Sequence, residues 1–246
     1  MTRATEPPAA PRGGPASGDA AGQPYPRHWE ADVLAADGGV VHLRPIRLDD
    51  ADRIVALHSR LSERTRYLRY FGAYPQIPPR DLDRLVRVDY TDRVALVAEL
   101  GDELIAVGRY DRTGEEEAPD TAEVAFVVED AHQRRGIGSV LLEHLAAAAR
   151  ERGVRAFVAY VLAENPGMVR VFLDAGYHVE REYESGLIHL TFPIEPTEQS
   201  VAVTYEREQR AEARSIERLL TPRSVAVIGA SGDPRKIGRA SCRERV

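Results

Sequence analysis

Gln133-Arg134-Arg135-Gly136-Ile137-Gly138-Ser139 lies between a strand-like run over residues 123–128 and a helix-like run over residues 140–150. A strand that ends in a glycine-bearing turn and enters a helix aims several unpaired backbone N–H groups, and the positive end of the helix dipole, at one spot. An anion is favoured there. Gly136 and Gly138 remove side chains that would hold a diphosphate off the backbone, and Arg134 and Arg135 add positive charge beside it. Two glycines also occur in ordinary strand-to-helix turns, so the flanking sequence decides between an anion cradle and a plain turn.

Upstream, Ala122-Glu123-Val124-Ala125-Phe126-Val127-Val128 is an apolar strand bearing one carboxylate. Downstream, residues 154–161 read as another strand. Beyond it, Ala163-Glu164-Asn165-Pro166-Gly167-Met168-Val169-Arg170-Val171-Phe172-Leu173-Asp174-Ala175-Gly176-Tyr177 sets an Asn before a helix that ends in Gly-aromatic. With the Gln-x-x-Gly-x-Gly turn between them, these segments resemble the GNAT acetyltransferase superfamily over roughly residues 30–195. The resemblance implies an α/β (α+β) GNAT fold: a mixed, mainly antiparallel sheet with helices on both faces and two central strands that splay around the donor. It also implies acetyl-CoA as acyl donor. Its expected contacts are Phe126, Val127 and Val128 on the family's fourth strand, Gln133, Arg134, Arg135, Gly136, Ile137, Gly138 and Ser139 in the turn, and Asn165 and Phe172 beyond the fifth strand.

Acetyl transfer to a lysine meets one main obstacle, because at neutral pH only a few amines in ten thousand are deprotonated; removing the proton costs ~4.6 kcal/mol from a reference pKa of ~10.4. A positioned base lowers that cost. Glu123 occupies the strand position from which similar protein-lysine acetyltransferases present a glutamate, and the apolar residues after it would raise its pKa by desolvation. A solvated edge carboxylate is the alternative. Asn165 reads both as a contact to the pantetheine arm and as an N-cap before Pro166. Phe172 departs from the family pattern, since many members carry there a Tyr that protonates the leaving thiolate. A thiolate with a pKa near ~8.5 can take its proton from water, and Tyr160 and Tyr177 are substitute donors, so the acid stays unassigned. His132 neighbours the turn without a clear role. The Glu115-Glu116-Glu117 run reads as a solvated loop or an attractant for a basic substrate.

The 246-residue chain has room for one sizeable domain and part of another. Its net charge of −6 argues against a nucleic-acid footprint. No apolar run nears the ~20 residues that span a bilayer, and the opening lacks a secretion signal's apolar core, so a cytoplasmic location without membrane partners is expected. Residues 1–27 read as a disordered Ala/Pro/Gly-rich arm, 28–196 as the acetyltransferase domain and 197–221 as a linker helix. Residues 222–246 begin like the CoA-binding Rossmann-like domain of NDP-forming acyl-CoA synthetases, with too few strands to fold as one. The lone lysine and lone cysteine, Lys236 and Cys242, break a composition that otherwise uses only arginine, and residues 237–246 read as a non-native tail on a longer natural chain. Neither redox chemistry nor a metal is implied.

Within the domain, hairpins are expected over residues 29–44 and 94–110, three helices between them, and a strand over 187–192 closing the sheet; the resemblance implies that the helices at 62–70 and 79–88 form the acceptor-side wall. The leading function is acetylation of protein lysines, an acyl-CoA synthetase being one possible substrate. The alternatives are a small-amine acetyltransferase and a non-catalytic acyl-CoA sensor.

Overall fold

The computed structural model describes residues 24–114, 118–221 and 224. The acidic run 115–117 and nearly all of the expected second-domain start at 222–246 lie outside the described residues.

Alternating apolar residues build one eight-stranded sheet in the order β1-β2-β3-β4-β5-β6-β8-β7. β1 (Ala31–Leu34) and β2 (Val40–Pro45) form the first hairpin, with Asp37 accepting a 3.1 Å bond from the Gly39 N–H in the turn. β3 (Arg93–Leu100) and β4 (Glu103–Arg112) form the second. On β3, Val94, Leu96 and Ala98 face one core cluster while Ala95 and Val97 face the other, as a period of two requires. The first cluster lies under α4 (Ile137–Glu151) and α5 (Pro166–Leu173); the second lies under α1 (Ala51–Arg60) and α3 (Pro79–Val86). Both faces are therefore covered.

β5 (Thr121–Val128) and β6 (Ala156–Leu162) are the parallel pair, and they touch only at Thr121–Ala156, Ala122–Phe157 and Glu123–Val158. Past Glu123, β5 stays with β4 and β6 stays with β8 (Leu187–Pro193), so each strand keeps one full ladder and the sheet opens between them. β8 does not close the sheet. β7 (Glu180–Glu184) forms the edge, and its Glu-Arg-Glu-Tyr-Glu sequence, exposed throughout, carries no apolar alternation to announce a strand. Such charge suits an edge, where it opposes pairing with another chain.

Two expectations at the domain ends change. The arm expected to be disordered to residue 27 is already packed at Tyr25, whose ring meets Tyr90 edge-on at 5.9 Å under the Arg47 guanidinium, and whose hydroxyl donates to Glu30 at 2.8 Å. The helix expected as a linker, α6 (Glu198–Leu220), docks on the body. A Cβ added at Gly38 would lie 2.5 Å from the Ser215 nitrogen, and one at Gly176 would lie 2.7 Å from the Ser200 Cα, so both glycines admit the helix backbone itself. Ala211 is fully buried and Arg207 pairs with Glu143 at 3.0 Å. Contacts made through missing side chains leave no hydrophobic stripe in the helix sequence to read.

Candidate active site

The gap between β5 and β6 is a cleft of about 460 Å³. Glu123 sits at the closed end where the strands part, and the turn into α4 borders the wide, open end. Bonding within β4–β5 decides which amides face the gap. The Glu129 N–H donates to the Ile105 carbonyl, and antiparallel ladders alternate, so the Val127 N–H turns toward β4 while those of Phe126 and Val128 face the cleft. Val127, expected as a contact to the donor, therefore lines the wall without offering its N–H to the cleft. Phe126 and Phe172 form the apolar floor, their rings 5.9 Å apart.

At the turn, Gly136 takes φ 76° as the cap of α4 with no side-chain acceptor, leaving the first-turn amides of Ile137, Gly138 and Ser139 for a ligand or water. All four residues, with Arg134, line the cleft. At Gly138 an added Cβ would make ordinary contact with Val171 at 3.5 Å. Arg135 behaves differently from Arg134. Its guanidinium bonds Asp37 at 2.9 Å and His132 at 2.8 Å, and its carbonyl accepts from the Ala36 N–H at 2.7 Å, so it braces the first hairpin against the turn and does not line the cleft. Gln133 is also a brace. Its amide donates to the Val128 carbonyl at 3.1 Å and to Thr65 at 3.3 Å. Beside it, Asp130 accepts from the Ser62 N–H at 2.9 Å and from the Ser62 and Thr65 hydroxyls, each at 2.7 Å, clipping α2 (Glu63–Tyr70) to the cleft. Burial opposes ionisation of Asp130, but these donors outweigh it and hold its carboxyl below the usual range.

Asn165 caps α5, its Oδ1 accepting from the Met168 N–H at 3.2 Å, and it also lines the cleft. Both of its readings therefore have a geometric basis. Glu123 is half-buried and makes no ion pair among the described residues. Burial raises its pKa above the ordinary carboxyl value; Arg69 opposes this and Asp111, its partner across β4, adds to it. Asp111 is itself engaged, with Arg93 at 2.9 Å and Arg109 at 3.0 Å. Of the two tyrosines considered as acids, Tyr160 lines the cleft and stacks on His189 at 4.8 Å, whereas Tyr177 stacks on Phe192 at 5.7 Å away from the cleft. Phe172 is fully buried.

The sequence reading placed the helix at 62–70 on the acceptor side but named none of the side chains that form the facing wall: Arg64, Thr65, Leu68, Arg69 and, just past the helix, Phe71. Spacings of four residues, Arg64–Leu68 and Thr65–Arg69, mark one helical face, but nothing local says what that face meets. Among the described residues no cluster of three or more His, Cys, Asp or Glu is arranged to hold a metal ion, and no helix is long and apolar enough to cross a membrane.

Known proteins share this architecture. Residues 60–177 match the Acetyltransferase (GNAT) family. An acetyltransferase of Pseudomonas aeruginosa is 30% identical over 159 residues, covering 63% of this chain and 83% of that protein. The acetyltransferase Pat of Mycolicibacterium smegmatis is 32% identical over 169 residues; the match takes in 68% of this chain but only 49% of Pat. Among solved structures, the GNAT domain of S. lividans PAT superposes with a TM-score of 0.66 at 48% identity, over 69% of this chain and 99% of that one. The cAMP-binding acyltransferase from Mycobacterium smegmatis superposes with a TM-score of 0.50 at 27% identity, over 78% of this chain and 56% of that one. The chain belongs to the GNAT acetyltransferase family, whose acyl donor is acetyl-CoA.

Proposed function

We propose that the protein acetylates lysine side chains of other proteins by direct transfer from acetyl-CoA, with Glu123 as general base. The observation that carries this reading is a half-buried carboxylate without an ion pair at the closed end of a cleft whose open end is lined by bare amides. The residues fit the donor. The Ile137, Gly138 and Ser139 amides suit a diphosphate, with Arg134 beside them, and the strand-edge N–H groups of Phe126 and Val128 suit an amide-bearing arm and the thioester oxygen. Bound acetyl-CoA supplies an activated acyl carbon. Glu123 takes the proton from the incoming ammonium, and its raised pKa narrows the gap to the amine it must deprotonate. Phe126 and Phe172 exclude water from the floor. No side-chain acid is assigned to the departing thiolate.

Similarity to the proteins named Pat and PAT supports a protein acceptor over a small amine. An acyl-CoA synthetase is the first candidate substrate, because the sequence over residues 222–246 resembles the start of that enzyme's CoA-binding domain. The domain boundaries at 28–196 and 222–246 and the cytoplasmic location remain parts of this proposal. Thiol release from acetyl-CoA with an acyl-CoA synthetase, with a polyamine and with no acceptor tests it. Release only with the synthetase, together with acetyl-lysine in its digest, is the expected result; release only with the polyamine overturns the protein reading.

A further inference from the structure

The wall facing Glu123 is cationic in a protein whose net charge is −6. Arg69 lines the cleft and makes no ion pair among the described residues. On α3, Arg80 and Arg84 are exposed, lie one turn apart and are likewise unpaired, and Arg84 is near enough to Glu123 to act on its charge. The acids of α3 are occupied, Asp83 with Arg87 at 2.9 Å and Asp81 with the Tyr74 hydroxyl at 2.6 Å. Beside Arg69 on the cleft wall, Phe71 stands exposed at 44%. Aromatic and arginine side chains are enriched at interfaces.

A lysine ammonium entering past Arg69 and Arg84 is repelled unless it brings negative charge with it. We infer that Arg80 and Arg84, on the acceptor side of the cleft, read Asp or Glu residues that flank the target lysine, with Phe71 as an apolar contact. This inference rests on the lysine reading above. Acidic flanks would cancel the repulsion at the rim and leave Glu123 to handle the ammonium alone. The same charges would steer an acidic partner toward the cleft and reject a basic one.

Three peptides with one central lysine and flanks of Asp/Glu, Asn/Gln or Arg test this, with kcat/KM measured for the parent and for the double variant Arg80→Gln/Arg84→Gln. The parent should favour the acidic over the arginine-flanked peptide by ~10-fold or more at low salt, and the gap should narrow as salt shortens the screening length to ~10 Å at 0.1 M. The double variant should lose most of that preference while its acetyl-CoA affinity, read by calorimetry, stays unchanged. Equal kcat/KM for all three peptides overturns the inference and leaves the lysine reading standing. So does a preference that survives in the double variant, whereas weakened acetyl-CoA binding would reassign these arginines to the donor. Acetylation of a polyamine but of no peptide removes the lysine reading and this inference with it.

Discussion

The two ends of the cleft are made of different material. At the wide end the working groups are backbone amides of Gly136, Ile137, Gly138 and Ser139, and side chains such as Arg135 and Gln133 serve as braces. At the closed end the working groups are the side chains of Glu123 and of the α2 wall, held by Asp130. An amide-lined end depends on chain geometry and tolerates side chains that leave the turn intact and put neither bulk nor negative charge against the amides. A side-chain end depends on burial and neighbouring charge, and so on elements distant in sequence.

Substitutions at the two ends should therefore fail differently. The largest effect is expected at the turn, where Gly138→Glu sets a carboxylate against the diphosphate; like-charge contact costs several kcal/mol, so the Kd for acetyl-CoA should rise by ~100-fold or more. Gly138→Ala is the control, since its Cβ would meet Val171 at an ordinary 3.5 Å, and calorimetry should find it close to the parent. If Ala proves as damaging as Glu, the turn acts through something other than bare amides.

Glu123→Gln comes next, with kcat lower by ~10²–10⁴-fold and acetyl-CoA affinity retained, as for removal of a positioned base. Its pH dependence has a definite sign. The base works when deprotonated, and burial raises its pKa, so the parent rate should rise with pH and level off above that raised value. The variant draws on neutral amine from solution and should keep climbing through pH 9, closing the gap. Parallel pH profiles would remove Glu123 from the chemistry.

Asp130→Ala should be milder. It strands the Ser62 and Thr65 donors but leaves both ends of the cleft chemically whole, and the carboxylate is exposed, so about 1 kcal/mol is expected, or ~2–4 °C in Tm for a domain of this size. The native pKa of Asp130 is depressed, so its contribution is present above the ordinary aspartate range and is lost as pH falls through the lowered value. Parent and variant should therefore converge in Tm on acidification. The acceptor KM should move more than the acetyl-CoA Kd, because Asp130 clips α2; the reverse order would put the clip at the donor end.

The smallest change in rate is expected for Phe172→Tyr. The ring is fully buried between Phe126 at 5.9 Å and Phe192 at 5.6 Å, so an added hydroxyl gains a desolvation cost and no evident partner. A kcat within about threefold of the parent is expected, with a lower Tm. A tenfold gain in kcat would show that protonation of the thiolate had been limiting.

What was legible in the sequence follows the same division. The turn from Gln133 to Ser139 could be read because a phosphate cradle is local: a strand, two glycines and a helix start lie within one short stretch, and the backbone does the rest. The paired hairpins were legible from alternation and turns, whereas the helices on both faces and the splayed strands came from the family resemblance. Even in the turn, Arg135 and Gln133 were read as ligand contacts. Only the fold brought Asp37 beside Arg135 and turned its side chain from the cleft, and brought Thr65 beside Gln133, which still lines the cleft.

The edge strand β7, the docking of α6 through Gly38 and Gly176, and the choice of side chains that α2 turns to the cleft had no local signal. In each case the deciding partner is far along the chain, or the contact is made by the absence of a side chain. Glu123 stands between the two kinds of knowledge. Its place on the strand was written in the sequence, but its burial and lack of an ion pair, with Asp111 across β4 and Arg69 opposite, exist only after β4, β5 and α2 have met. The sequence by itself determined the backbone geometry that can hold an acyl-CoA, because that geometry is local. The tertiary structure decided which side chains see the cleft and at what pKa, because charge and desolvation act through space rather than along the chain.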